Sequence, residues 1–122
     1  MFHPRKSFYY FQDYALTELL INALGNLPIE LYYSEGLKRL LKHDQNSSVS
    51  YIDTLRTYLD NNMSITKTTR LLYINRSTFL ERLTRIKREL NSDLQNAEER
   101  LMLQIILKAM ELNQKIQDHD EK

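Results

Sequence analysis

In 122 residues this chain has two glycines, Gly25 and Gly36, and two prolines, Pro4 and Pro28. A sheet protein of that size needs many tight turns, and those turns draw on glycine and proline for backbone angles that other residues avoid. The chain lacks that punctuation. What it can build from long unbroken segments is helix, and its apolar residues recur at intervals of three and four, as one face of a helix requires. The expected fold class is all-α, with one compact core for a chain of this length.

The segments can be read in order. Asp13 is placed to cap a helix carrying Tyr14, Leu16, Leu19, Leu20, Ala23 and Leu24, with Gly25 as its stop. Pro28 suits the first turn of a short second helix reaching Tyr33, and a third piece carries Leu37, Leu40 and Leu41. The polar run "HDQNSSVS", residues 43–50, reads as a loop. Ser50 and Asp53 have the spacing of a capping box, which starts a helix at Tyr51 with Ile52, Leu55, Tyr58 and Leu59 on its inner face. Ser64 caps a short helix containing Ile65, Thr68, Thr69 and Leu72. After a brief turn a longer helix runs from Arg76 to Leu90 on the seam Phe79, Leu83, Ile86 and Leu90.

Asn96 and Glu99 form a further box before a last helix of roughly 20 residues. Its stretch "LMLQIILKAMEL", residues 101–112, is apolar over an arc of about 240°. Either this helix lies between two layers of its own domain, or part of it is a subunit interface, with Met102, Ile106 and Met110 as the candidate residues. The organisation expected is a tail or linker remnant at 1–12, one helical domain at 13–112 with a helix-turn-helix near 64–90, and a tail at 113–122.

Charge becomes informative once it is divided. The whole chain nets +1, yet residues 63–90 hold seven basic side chains against two acidic ones, and the remainder holds ten against fourteen. An acidic scaffold thus carries one basic block, which can attract polyanions without implying any sequence preference. Other classes fall away. With no cysteine there are no disulfides, thiolate metal sites or cysteine nucleophiles. His3, His43 and His119 are far apart, and no phosphate-binding glycine loop or nucleophile elbow is present, so neither an enzyme nor a metal or other cofactor is expected. There is no membrane-spanning run and no secretory signal, which makes the cytoplasm the expected location.

A helix of eight residues, a short turn and a second helix with a basic outer side describe a helix-turn-helix. On a helical wheel Ser77, Glu81, Thr84, Arg85 and Arg88 face away from the apolar seam. In such a unit the second helix enters the major groove and its first residues reach base edges. Arg76 offers a fork of donors suited to guanine, while Ser64, Thr66 and Lys67 begin the preceding helix, where free N–H groups and hydroxyls favour phosphate oxygens. Basic residues on an amphipathic helix are, taken alone, more often a solvated face. Arg82 and Glu89 at the seam's edge can pair with neighbouring helices, as Arg70 can with Asp60.

The run "YIDTLRTYLDNNMSITKTTRLLYINRSTFLERLTRI" resembles the C-terminal helix-turn-helix domain of the PucR/CdaR family, bacterial regulators of purine and sugar-diacid utilisation. The resemblance rests on Thr54-Leu55 and Tyr58-Leu59, on Thr68 and Leu72, and on Arg76, Thr78, Arg82-Leu83 and Arg85-Ile86. It extends outward through "DYALTELLINAL", "LLKHD" and "ERLMLQIILKAMEL", covering residues 13–112, and "NRST" is also similar to the start of the recognition helix in Fis-type proteins. Four positions depart from the family pattern. Asn75 stands for its histidine, Ser77 for its asparagine, Glu81 for its tyrosine and Thr69 for its small alanine.

The resemblance implies a compact helical domain with a Fis-like helix-turn-helix that binds double-stranded DNA, mostly in activators. Arg76, Ser77, Thr78, Glu81 and Arg85 would lie near bases, and Lys67, Asn75 and Arg88 on the backbone. Glu81 would either repel phosphates or accept from a cytosine amino group. A homo-oligomer, as a dimer on two half-sites, is expected. So is an effector-sensing region upstream, which this chain does not contain. The rival reading is a helical protein-interaction module that uses the apolar face of residues 101–112.

Overall fold

At the start of each of five helices, a side chain accepts one of the free N–H groups of the first turn. In the computed structural model Ser34 Oγ accepts from Leu37 N at 3.1 Å and opens α2 (Glu35–Gln45). Ser50 Oγ accepts from Asp53 N at 3.0 Å before α3 (Tyr51–Asp60), and Ser64 Oγ from Lys67 N at 3.2 Å before α4 (Ile65–Leu72). Asn75 Oδ1 accepts from Thr78 N at 2.8 Å before α5 (Arg76–Leu90), and Asn96 Oδ1 from Glu99 N at 2.9 Å before α6 (Ala97–Asp120). Each such cap is worth about 1 kcal/mol. The structure describes residues 14–120 apart from 24 and 26, with side chains through 114. Residues 14–23 form α1, Ile29–Tyr32 make a single 3₁₀ turn after Pro28, and among the described residues there is no strand. The fold is all-α.

The described residues divide into two compact units. One runs up to Leu31 and resumes at Lys108, and the other is Tyr32–Leu107. In the first, Leu20, Ile29 and Ala109 are buried, and Gly25 ends α1 with φ 57°, its N–H donating to Ile21 O at 3.1 Å. The expected cap Asp13 and the tail at 1–12 lie outside the described residues. The core of the second unit is built by Leu37 and Leu40 of α2, Ile52, Leu55, Tyr58 and Leu59 of α3, and Phe79, Leu83 and Ile86 of α5. Tyr58 stacks at a tilt on Phe79, with ring centroids 5.4 Å apart, and burial pushes its phenol pKa above the ordinary value.

Two contacts fix α5 in this unit. Gly36, in the first turn of α2, lies so close to the end of α5 that a Cβ there would sit 2.7 Å from Glu89 O and 2.7 Å from Leu90 Cα. Beside it Arg39 Nε donates to the Glu89 carboxylate at 3.1 Å and Arg39 Nη2 to the Glu89 carbonyl. The expectation that Glu89 pairs with a neighbouring helix is met. Arg70 and Asp60 form no ion pair, each being exposed on its own helix.

Residues 43–50 are not all loop. α2 continues through Gln45, because Asp44 has a task that spacing alone does not reveal. Its carboxylate accepts from Tyr51 N at 2.8 Å, Ile52 N at 3.0 Å and Ser50 Oγ at 3.1 Å, so the last turn of α2 caps the first turn of α3. His43 Nδ1 lies 2.9 Å from the same carboxylate, and its ring stacks flat on Tyr51 at 3.7 Å. Burial pushes the Asp44 carboxyl up, but the hydrogen bonds from His43, Ile52, Tyr51 and Ser50 outweigh it and leave the pKa below its ordinary value.

The last helix differs from expectation in two ways. It is 24 residues long, so residues 113–120, expected as tail, are helical. Its apolar arc is also divided. Leu103, Ile106, Leu107 and Ala109 are buried, whereas Leu101, Met102 and Ile105 are exposed by 58%, 46% and 38%. Of the residues expected at a subunit interface, Ile106 is therefore a core residue at 5% exposure, Met110 is half-buried, and Met102 alone is exposed.

Gly36→Ala should destabilise the protein by about 2 kcal/mol, because the added methyl meets main chain that cannot swing aside; urea unfolding measures it. For Asp44 the folded-state pKa lies below that of the unfolded chain. Its contribution is therefore complete above the ordinary carboxylate pKa and is lost as pH falls through the lowered value. Unfolding curves at neutral pH and near pH 3 should show that loss in the wild type and a smaller one in Asp44→Asn.

Candidate nucleic-acid interface

The helix-turn-helix consists of α4, a turn at residues 73–75, and α5. α4 ends in a Schellman-type turn. Tyr73 N donates to Arg70 O at 3.3 Å and Ile74 N to Thr69 O at 3.1 Å, while Tyr73 takes the left-handed conformation at φ 56°. That conformation suits glycine and costs a bulky L-residue about 1 kcal/mol or more. The Tyr73 ring is 93% exposed, so it recovers little of this by burial. Reversal of the chain at Tyr73 leaves Asn75 extended, with φ −81° and ψ 167°, and able to cap α5.

α5 has two faces. Phe79, Leu83 and Ile86 are buried and Leu90 is half-buried, while Arg76, Ser77, Glu81, Thr84, Arg85 and Arg88 are exposed. The polar set expected on the outer side of this helix is thus outside, and Thr78 is half-buried at the edge. Asn75 Oδ1 accepts from both Thr78 N at 2.8 Å and Ser77 Oγ at 3.1 Å. The oxygen of Asn75 is therefore committed to the helix start, and its amide N–H groups are what it can offer a phosphate. Thr66 and Lys67 are exposed at the start of α4. Ser64 is half-buried, its oxygen accepting from Lys67 N while its O–H stays available as a donor.

Arg85 is the most constrained cation of the set. Its Nη2 donates to Glu81 Oε1 at 3.0 Å, one helical turn back, and its Nη1 reaches the Tyr51 hydroxyl at 3.5 Å. Tyr51 and then Glu81 favour its charged form and raise its pKa further. With Arg88 it faces an open groove whose other walls are Arg39, Lys42, His43, Asn46, Tyr51 and Glu89. Four of these residues are permanent cations and one is an acid, so the groove is electropositive beside the outer face of α5.

Arg39 and Lys42 were not among the sequence-derived candidates, since they lie outside the basic block and reach it only because α2 packs on α5. Leu80 was also missed. It is exposed by 37% among the polar residues of α5, and the only hint in the sequence is that it falls off the apolar seam. No group of three or more His, Cys, Asp or Glu able to hold a metal ion occurs among the described residues. No helix among them is long and apolar enough to cross a membrane.

Residues 51–109 match the family model of the PucR C-terminal helix-turn-helix domain. That segment takes in α3, α4, α5 and the first half of α6, and it is a domain of that family, which groups it with the helix-turn-helix domains of DNA-binding regulators. No curated protein and no solved structure was found to match the chain.

Replacing Tyr73 by glycine should relieve the left-handed strain without losing buried area. Thermal or urea unfolding of Tyr73→Gly should show a gain of about 0.5–1 kcal/mol over the wild type.

Proposed function

We propose, from the premise that residues 51–109 form a PucR-type helix-turn-helix, that this chain is the sequence-specific DNA-binding part of a bacterial transcriptional regulator. α5 lies in the major groove. The observation that carries this reading is the division of α5, whose buried Phe79–Leu83–Ile86 face anchors it while Arg76, Ser77, Glu81, Thr84, Arg85 and Arg88 stay exposed. Arg76, Ser77, Thr78, Glu81 and Arg85 act near base edges, with Arg76 suited to the N7 and O6 acceptors of guanine. Ser64, Thr66, Lys67, Asn75 and Arg88 hold the DNA backbone, and the groove cations Arg39 and Lys42 add to the field that draws DNA in.

On this reading the protein works in the cytoplasm as a dimer on two half-sites, without catalysis of its own, and answers to a sensing region outside these residues. One observation favours a second reading for α6. The exposed set Leu101, Met102 and Ile105 offers an apolar surface for another protein or a second copy, and would serve alongside DNA binding rather than in place of it.

The test is selection of binding sites from random duplex DNA, then titration of the best sequence at several salt concentrations. Arg76→Ala should cost about 1–3 kcal/mol on the selected site and relax preference at one base pair. Lys67→Ala and Arg88→Ala should weaken all duplexes alike and flatten the salt dependence. If no sequence is enriched and Arg76→Ala leaves duplex binding unchanged, α5 does not read DNA.

A further inference from the structure

We infer that Leu80 makes an apolar contact with the C5-methyl group of a thymine, so that a side chain of α5 with no hydrogen-bonding group fixes one base of the recognised sequence. This rests on the reading of α5 as the helix in the major groove.

Leu80 is in the first half of α5, four residues after Arg76, three after Ser77 and four before Thr84. All three of those residues are exposed and polar, as is Glu81 beside it. Leu80 itself is 37% exposed and lies off the seam of Phe79, Leu83 and Ile86. Single exposed leucines are ordinary on protein surfaces and need no partner. This one differs in its place, on the part of the helix from which side chains reach base edges. Thr84 adds to the effect, because its hydroxyl donates to the Leu80 carbonyl at 2.9 Å and is occupied by the helix itself.

The major-groove edges of the four base pairs present hydrogen-bond donors and acceptors, and a single apolar group, the thymine methyl. A leucine brought against a polar edge strips water from it and returns no hydrogen bond. Brought against the methyl group, it buries two apolar surfaces at once. Leu80 therefore favours thymine and disfavours cytosine, which has a donor and no methyl group at that edge.

The experiment takes the selected duplex and replaces each thymine in turn by deoxyuridine, which lacks only the methyl group. For the wild-type chain one thymine per half-site should weaken binding by about fourfold when replaced, which is what burial of one such group is worth. For Leu80→Ala the same replacement should change nothing, while helical content and binding to unrelated DNA at low salt stay at wild-type levels. If no thymine is sensitive, or the deoxyuridine penalty persists undiminished in Leu80→Ala, the assignment of Leu80 is overturned. If selection enriches no sequence at all, the placement of α5 in the groove fails first and takes this inference with it.

Discussion

The close approach of two backbones at Gly36 is the constraint on which the second unit depends. Where residue 36 has no side chain, the main chain of α2 can reach the last turn of α5, and Arg39 bonds both the side chain and the carbonyl of Glu89 there. α5 is thus held at its far end by a close approach of backbone to backbone, reinforced by the Arg39 side chain. With that end fixed, the seam of Phe79, Leu83 and Ile86 settles which way the helix is turned, and the outer face follows from it. α2 serves twice, because Asp44 in its last turn supplies the acceptors for the first turn of α3. One eleven-residue helix therefore positions both α5 and α3.

Much of this was legible in the sequence because the signals were local. Ser50 and Asn96 were recognisable as helix starts from their own chemistry and that of the acidic residue three positions on, and Ser64 from its own chemistry, whereas the capping role of Asn75 emerges only from its hydrogen bond to Thr78 N. The seam of α5 was legible because its spacing admits only one stripe. Reading failed where a residue's role depends on something distant in the chain. Asp44 looked like loop because its partners belong to the next helix. Arg39 and Lys42 sat outside the basic block and join it only when α2 packs on α5. Ile106 shared an apolar arc with Met102 and Met110, and a wheel cannot say which part of an arc the rest of the chain covers. Leu80 went unnoticed because a single apolar residue off the seam looks like any exposed leucine on a solvated face.

Strain and economy also distribute unevenly over the unit. The turns after α3, α4 and α5 all use left-handed residues, yet none is glycine: Asn62 and Met63 follow α3 with φ of 57° and 61°, Tyr73 follows α4 with 56°, and Asn91 follows α5 with 53°. Asparagine tolerates that region through its short polar side chain, whereas methionine and tyrosine adopt it at a cost, and of these only Tyr73 lies between α4 and α5. The least comfortable backbone in the helix-turn-helix therefore sits in the turn that aims α5, where a change of conformation would alter its direction most.

Arg85 shows what a cation brings when it is not free. In the unbound protein its charge already faces Glu81 at 3.0 Å. Only part of its donor set is used there, so a polyanion docking on this face meets an arginine whose charge is already partly balanced. The pair as a whole carries no net charge, so it neutralises less of the polyanion than a free arginine would and releases correspondingly less of the counterion shell condensed on it. The pair acts as a ballast against indiscriminate attachment, since Glu81 repels a polyanionic surface that offers it no donor.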